Sequence, residues 1–448
     1  VQGFSMQVTN ASGVMELSSG VYLAPAGTAH VRVAMPSGAR ADMVKVQVVG
    51  ADQKVQDVKI TSTGALSLEG DVPVAGVSRV LLKVSPQGKE QEVSSFALVN
   101  DTSHPGVPRA AFSTEPTLMN GKKTAVVPSG SSVDVSHLVD DFSGVAHVAL
   151  QRRVGDKWQD TDSQDFDAAA IASSRDKQVS RDGKVTSRAT GGLSASLRLG
   201  DSGEYRVAVT DASERMGVWS LSDIGAVSDV QVRDYAPSNI GFSTDNKTWQ
   251  AQGVTGWMKF DDAPLLHVAV HNEGSFVARN EITVNGVPVV SDDIGFDAKR
   301  SAQSGYEVNI HDLVATKKVP PSDSGVYRVQ VVSHGLFGRS QDVSYDVRLD
   351  SSAPYISGAS VTGAQAFDGG TLFAHDDTGL SVSVQEHQSG IAAVDLLYTD
   401  SSGAQKVQKL SESGSGAFVG AFPDGSAFRV RVRDNAGFET VKPLTELG

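Results

Sequence analysis

Residues 201–211 read DSGEYRVAVTD, residues 323–333 read DSGVYRVQVVS and residues 424–434 read DGSAFRVRVRD. In each stretch an Asp stands four residues ahead of an aromatic ring (Tyr205, Tyr327 or Phe428), and Arg-Val-x-Val follows the ring. Apolar residues at every second position mark a half-buried strand, because successive strand side chains point to opposite faces. The copies lie 122 and 101 residues apart. That is the length of a domain, well beyond the roughly 20–50 residues of solenoid or propeller units.

The same alternation recurs around these copies, as in Val44-Lys45-Val46-Gln47-Val48, Val133-Asp134-Val135 and Val382-Ser383-Val384. Clusters of Gly, Ser, Asp and Asn interrupt the runs at hairpin spacing. Helical turns are expected only within 164–174 and 311–318. A second marker precedes the first. Residues 139–151 read VDDFSGVAHVALQ and residues 384–397 read VQEHQSGIAAVDLL, each a strand, a polar turn ending Ser-Gly, and another strand. Prolines form the third marker: His104-Pro105-Gly106-Val107-Pro108, Ala236-Pro237 and Ala353-Pro354. Proline stiffens a connection and is excluded from central strands, which suits a domain start. The markers divide the chain into four all-β units: 1–104, 105–235, 236–352 and 353–448. The middle two carry insertions at about 160–195 and 292–321.

The stretch LSASLRLGDSGEYRVAV, from Leu193, resembles the part of an immunoglobulin domain that carries the tyrosine corner. Tyr205 and Tyr327 match the corner tyrosine, and Phe428 takes that place in the last unit. The resemblance places Val207, Val329 and Val430 where the family has a half-cystine, so apolar packing replaces the disulfide. RDNAGFET at 433–440, the Ser-Gly turns and the Ala-Pro joins are similar to bacterial immunoglobulin-like repeats of surface proteins and adhesins. The resemblance covers the last three units; in the first, Ser78-Arg79-Val80 replaces Tyr-Arg-Val. It implies tandem immunoglobulin-like β-sandwiches in an elongated array on a bacterial surface.

Composition narrows the function classes. The 448 residues include 39 basic and 52 acidic side chains, for a net charge of −13. Nucleic-acid affinity comes mainly from Lys and Arg neutralising phosphates, so no nucleic-acid partner is expected. No apolar run approaches the roughly 18 residues of a membrane span, so no membrane insertion is expected in this stretch. Cysteine is absent, which removes disulfides and thiolate metal sites. The opening Val1-Gln2-Gly3-Phe4 has no charged-then-apolar leader, and the chain reads as a fragment of something longer.

No nucleophile elbow, Walker loop or dinucleotide fingerprint appears, and no residue takes a catalytic role. His267 and His271 share a strand face about 13 Å apart, too far for one metal ion. The best metal candidate is the acidic run Asp160, Asp162, Asp165 and Asp167, expected to be an insertion loop able to offer calcium its oxygen ligands. It lacks the EF-hand glycine, and a solvated acidic loop is the bland alternative. The pairs Asp140-Asp141, Asp261-Asp262 and Asp376-Asp377 could sit near domain junctions and bridge neighbours through calcium, but none matches a cadherin-type linker set, and they read as solvated. Trp249 and Trp257 flank the turn-rich 250–256 and are the first choice for a ligand surface. Nothing picks out a Lys–Asn pair for an isopeptide cross-link. The sequons at Asn10, Asn100 and Asn246 are near the chance number.

The sequence therefore reads as a non-catalytic extracellular or cell-surface region of a bacterium. Its stalk would contact a protein or glycan on another cell or matrix, with no cofactor beyond a candidate calcium ion. The alternative is a spacer of a large extracellular glycosidase or peptidase. A eukaryotic receptor is disfavoured by the missing disulfides. Specificity is expected in the two insertions, because loops on a rigid scaffold carry binding.

Overall fold

The computed structural model describes residues 1–9, 13–119, 123–414 and 416–447; Asn10 of the first sequon lies outside them. The chain is all-β and divides into two compact units, Val1–Asp234 and Tyr235–Gly448. Among the described residues four main buried apolar cores occupy successive stretches of chain, two in each unit, and each fills the space between two sheets.

In the first sandwich the sheet containing Thr28–Ala34 and Ser67–Pro73 faces the one containing Val44–Val49, Val77–Val84 and Gln91–Val99. In the second, Arg109–Phe112, Ser132–Leu138 and Leu193–Arg198 face the sheet centred on Val145–Val154 and Gly203–Asp211. The third repeats this plan with Asn239–Ser243, Leu266–His271 and Gln303–Val308 against a sheet centred on Val326–His334 and Ser340–Asp350. The fourth pairs two four-stranded sheets, around Gly379–Gln385 and around Ile391–Thr399 with Ser426–Asp434. In the first three sandwiches an early segment runs parallel to the last strand: Val21–Leu23 to Gln91–Val99, Thr124–Val127 to Asp229–Val232, and Gly253–Lys259 to Ser340–Asp350. This pairing satisfies the backbone of an edge that would otherwise be open to another chain.

The valines at the half-cystine positions are fully buried: Val207, Val329 and Val430 each have 0% exposure. Each contributes about 1.5–3 kcal/mol of apolar burial. The corner is built on the Tyr205 hydroxyl, which accepts a hydrogen bond from Gly200 N at 3.0 Å and donates to Asp201 O at 2.5 Å. Tyr327 Oη accepts from Ser322 N at 3.0 Å. Phe428 has no hydroxyl and packs between Tyr398 and Phe422, at centroid distances of 5.9 and 5.3 Å. In the first sandwich Ser78, at the corresponding place, donates to Ala75 O at 3.2 Å. Tyr205→Phe is expected to cost the second sandwich about 0.5–1.5 kcal/mol, the net worth of one hydrogen bond. An unchanged unfolding midpoint in urea would contradict that assignment of the hydroxyl.

Short helices form at Ala168–Ser173, inside the first expected stretch, and at Ile310–Ala315, which begins one residue before the second. A third, Ala298–Ala302, carries no apolar periodicity. It is made by its cap instead: Asp297 accepts from the backbone N–H of Lys299 and Arg300. The acidic run is not a loop. Residues Lys157–Asp165 form a strand paired antiparallel with Val145–Val154.

The insertion around 160–195 does not stand free as a binding loop. Its hairpin, Lys177–Val179 with Val185–Ser187, lies against the first sandwich. Val179 and Phe142 pack on a small core of Val21, Leu23, Ala97 and Val99. Arg181 Nε donates to Ser95 O at 2.8 Å, and Arg175 Nη1 to Leu17 O at 3.5 Å. Specificity was expected at this position; the chain uses it to hold two sandwiches together. In the other insertion, Asp292 accepts both contacts of Arg300 at 2.5 Å and the Tyr306 hydroxyl at 2.6 Å, which ties the segment to its own sandwich.

Candidate metal centre

The residues chosen from the sequence are dispersed. Asp160 accepts from Gln151 Nε2 at 2.9 Å, and Asp162 from Arg198 N at 2.8 Å. Asp165 lies 2.6 Å from His147 Nδ1, and Asp167 caps the helix Ala168–Ser173 through Ala170 N. Strand pairing separates these four carboxylates and gives each its own partner; the structure does not gather them. Trp249 is 42% exposed. Trp257 is half-buried and lies under the Arg348 guanidinium at 5.9 Å. Asp141 pairs with Lys177 at 3.1 Å, while Asp261, Asp262, Asp376 and Asp377 are exposed.

Asp140 departs from the solvated reading, with only 1% exposure. It meets Asp101, which follows the last strand of the first sandwich, and Asp211, which ends the strand begun by the corner motif. One carboxylate oxygen from each lies within 4.8 Å of the others. Asp350, Glu386 and Asp434 form an equivalent trio in the second unit. Again one residue closes a sandwich and two belong to the next, so each trio sits at a joint between consecutive sandwiches of one unit.

Most oxygens are held by the local backbone. Asp140 Oδ2 accepts from Ser143 N and Gly144 N, and Asp211 Oδ1 from Ser213 N and Arg215 N. Asp101 Oδ1 accepts from Ser103 N, and its Oδ2 from Ser143 N and the Ser143 hydroxyl. In the second unit Asp434 Oδ1 accepts from Ala436 N and Phe438 N, and Glu386 Oε1 from His387 N and Gln388 N. Asp350 uses both oxygens, towards Ser352 N and Ser389 N. Four buried oxygens have no partner: Asp140 Oδ1, Asp211 Oδ2, Glu386 Oε2 and Asp434 Oδ2.

The electrostatics are strained. Burial, and then the negative charge of Asp101, push the Asp140 carboxyl up to about 8. Burial also raises Asp211, against the pull of the Arg215 and Ser213 N–H groups. At Asp101 burial acts upward too, but the Ser103 and Ser143 hydrogen bonds prevail and its carboxyl is lowered. Glu386 and Asp434 are both raised, chiefly by burial, and Asp350 adds its repulsion to each. Arg175 and Arg215 stand beside the first trio, but their Nε groups donate to Ser143 O and Asp101 O.

A sequence signal for these sites exists. The repeated motif ends on Asp211 and Asp434, six residues after the ring, and on Ser333 in the third sandwich. Asp140 and Glu386 each stand three residues before the serine of a Ser-Gly turn. The third sandwich has Asn272 at that position, donating to Ala236 O at 3.0 Å and Ser238 Oγ at 3.1 Å, and Ser238 contacts Ser333 at 3.1 Å.

A groove of about 720 Å³ in the fourth sandwich is lined by Phe367, Leu372, Phe422 and Phe428. Among the described residues its ionisable lining groups are Asp424 and Arg429, which do not form a general acid–base pair. No helix among the described residues is long and apolar enough to cross a membrane.

No family model matches the chain, and no curated protein matches it. Among solved structures it is similar to a tetra-tandem repeat from the extending region of a large adhesion protein, at 12% identity over 98% of each chain with a TM-score of 0.30. It is also similar to a calcium-stabilised adhesin by which an Antarctic bacterium binds ice, at 12% identity over 98% of this chain and 97% of that one, with a TM-score of 0.26. A third likeness is to invasin, a bacterial integrin-binding protein, at 14% identity over 98% and 78% of the chains with a TM-score of 0.23. The fold of the present chain rests on its own sheets and cores.

Proposed function

We propose that the chain is a non-catalytic region of a bacterial surface or secreted protein, in which tandem immunoglobulin-like sandwiches space or present a contact for a protein or glycan outside the cell. The observation that carries this reading is the use of the insertion hairpin Lys177–Val179 and Val185–Ser187. The chain spends its longest insertion on fixing one sandwich against another, which suits a spacer. The acidic balance, −13 overall, keeps such a surface soluble and resists non-specific adhesion to anionic polymers. Beads coated with the full chain are expected to attach to a cell-surface or matrix target in a glycan and protein array, with no turnover of glycosidic or peptide substrates. Hydrolysis by the purified chain would overturn the reading.

A further inference from the structure

We infer that the trios Asp101–Asp140–Asp211 and Asp350–Glu386–Asp434 each bind one hard divalent cation of the calcium class, which ties consecutive sandwiches together within each unit. The inference does not depend on the adhesive reading and would hold for any tandem-sandwich protein built this way.

Three arguments converge. The first is unmet charge. Bringing three carboxylates within 4.8 Å in a buried joint is costly unless a cation compensates them. Asp350 and Asp434 both repel Glu386. The second is the aim of the free oxygens. Asp140, Asp211 and Asp434 have 1%, 1% and 3% exposure, yet each keeps one oxygen without a hydrogen-bond partner while its other oxygen is anchored by backbone N–H groups. Anchoring one oxygen and leaving the other free is how outer-shell contacts orient a ligand. The Ser389 hydroxyl, in the Ser-Gly turn of the second joint, is likewise buried without a partner.

The third argument is repetition with an internal control. Both units carry acids at all three positions, whereas at two of them the third sandwich has Asn272 and Ser333, closed on each other through Ser238. At those two positions the carboxylates are replaced together, as a shared ligand would require. The donors are all oxygen, with no cysteine or histidine, which selects a hard cation. Carboxylates from separate strand ends form a flexible cage, which suits the larger calcium ion over magnesium with its octahedral demand. The competing occupant is a proton held between Asp101 and Asp140.

The test uses the full chain stripped with a chelator, then native mass spectrometry and calorimetric titration with calcium chloride. Two calcium ions per chain are expected, with dissociation constants at or below about 10⁻³ M. Asp211→Asn and Asp434→Asn should each leave one ion, and the double variant none. Magnesium should bind at least about tenfold more weakly. The wild-type stoichiometry stands whether or not the variants fold: fewer than two ions on the folded wild-type chain at about 10 mM calcium overturns the inference, as would full binding retained by a folded double variant.

Discussion

Tyr205→Ala is expected to destabilise the second sandwich by about 3–5 kcal/mol, the usual cost of deleting a fully buried aromatic side chain. The ring has 0% exposure and sits in a core with Val207, Val209, Leu197 and Leu199. Its removal leaves a cavity and strips Gly200 N and Asp201 O of their shared partner. The loss should far exceed that of Tyr205→Phe, because phenylalanine keeps the ring and gives up only the hydroxyl. The four tryptophans allow a clean readout: Trp158 and Trp219 lie in the second sandwich, Trp249 and Trp257 in the third. In a Trp249→Phe, Trp257→Phe background, fluorescence during urea unfolding follows the second sandwich, and its midpoint should fall steeply for alanine and slightly for phenylalanine. Equal shifts for the two substitutions would mean that the ring contributes little packing and that the corner works through the hydroxyl.

The second large effect is expected in the fourth sandwich. Asp395 is buried, at 4% exposure, in the strand Ile391–Thr399. It holds Arg431 at 2.8 Å and Arg433 at 3.3 Å. Asp395→Ala takes a carboxylate from two guanidinium groups at once, leaving Arg431 only the looser contact with Glu439 at 3.8 Å. Breaking a fully buried pair costs roughly 3–5 kcal/mol; here the arginines keep 23% and 47% side-chain exposure, which lets water take up part of the charge. A loss of about 2 kcal/mol is therefore expected. Hydrogen exchange read by mass spectrometry should show faster exchange across Ser426–Asp434 with the first three sandwiches unchanged. Unaltered exchange in that strand would show that the arginines find full compensation in solvent.

The two kinds of site differ in how far they can be read from sequence. The corner is legible because its parts lie within a few residues: an Asp-x-Gly turn, a ring four positions on, and a strand that must follow. The acidic run at 160–167 misleads for a related reason. Closeness in sequence suggests closeness in space, but a strand turns its neighbours to opposite faces, and pairing with Val145–Val154 distributes them among separate partners. The helix Ala298–Ala302 escapes a periodicity search because a capping aspartate forms it, without an apolar stripe.

Local pattern was enough to set the strands, the all-β class, the corner and the tandem repeat, since each depends on side-chain alternation and turn chemistry over about ten residues or fewer. The meeting of Asp101 with Asp140 and Asp211, and of Asp350 with Glu386 and Asp434, was settled by the docking of one sandwich on the next. So was the destination of the 160–195 insertion, whose hairpin lays Val179 and Arg181 against the first sandwich while its second strand stays exposed. Those contacts join residues far apart in the chain, and their energy comes from burying apolar and charged groups at a joint that exists only after both partners have folded.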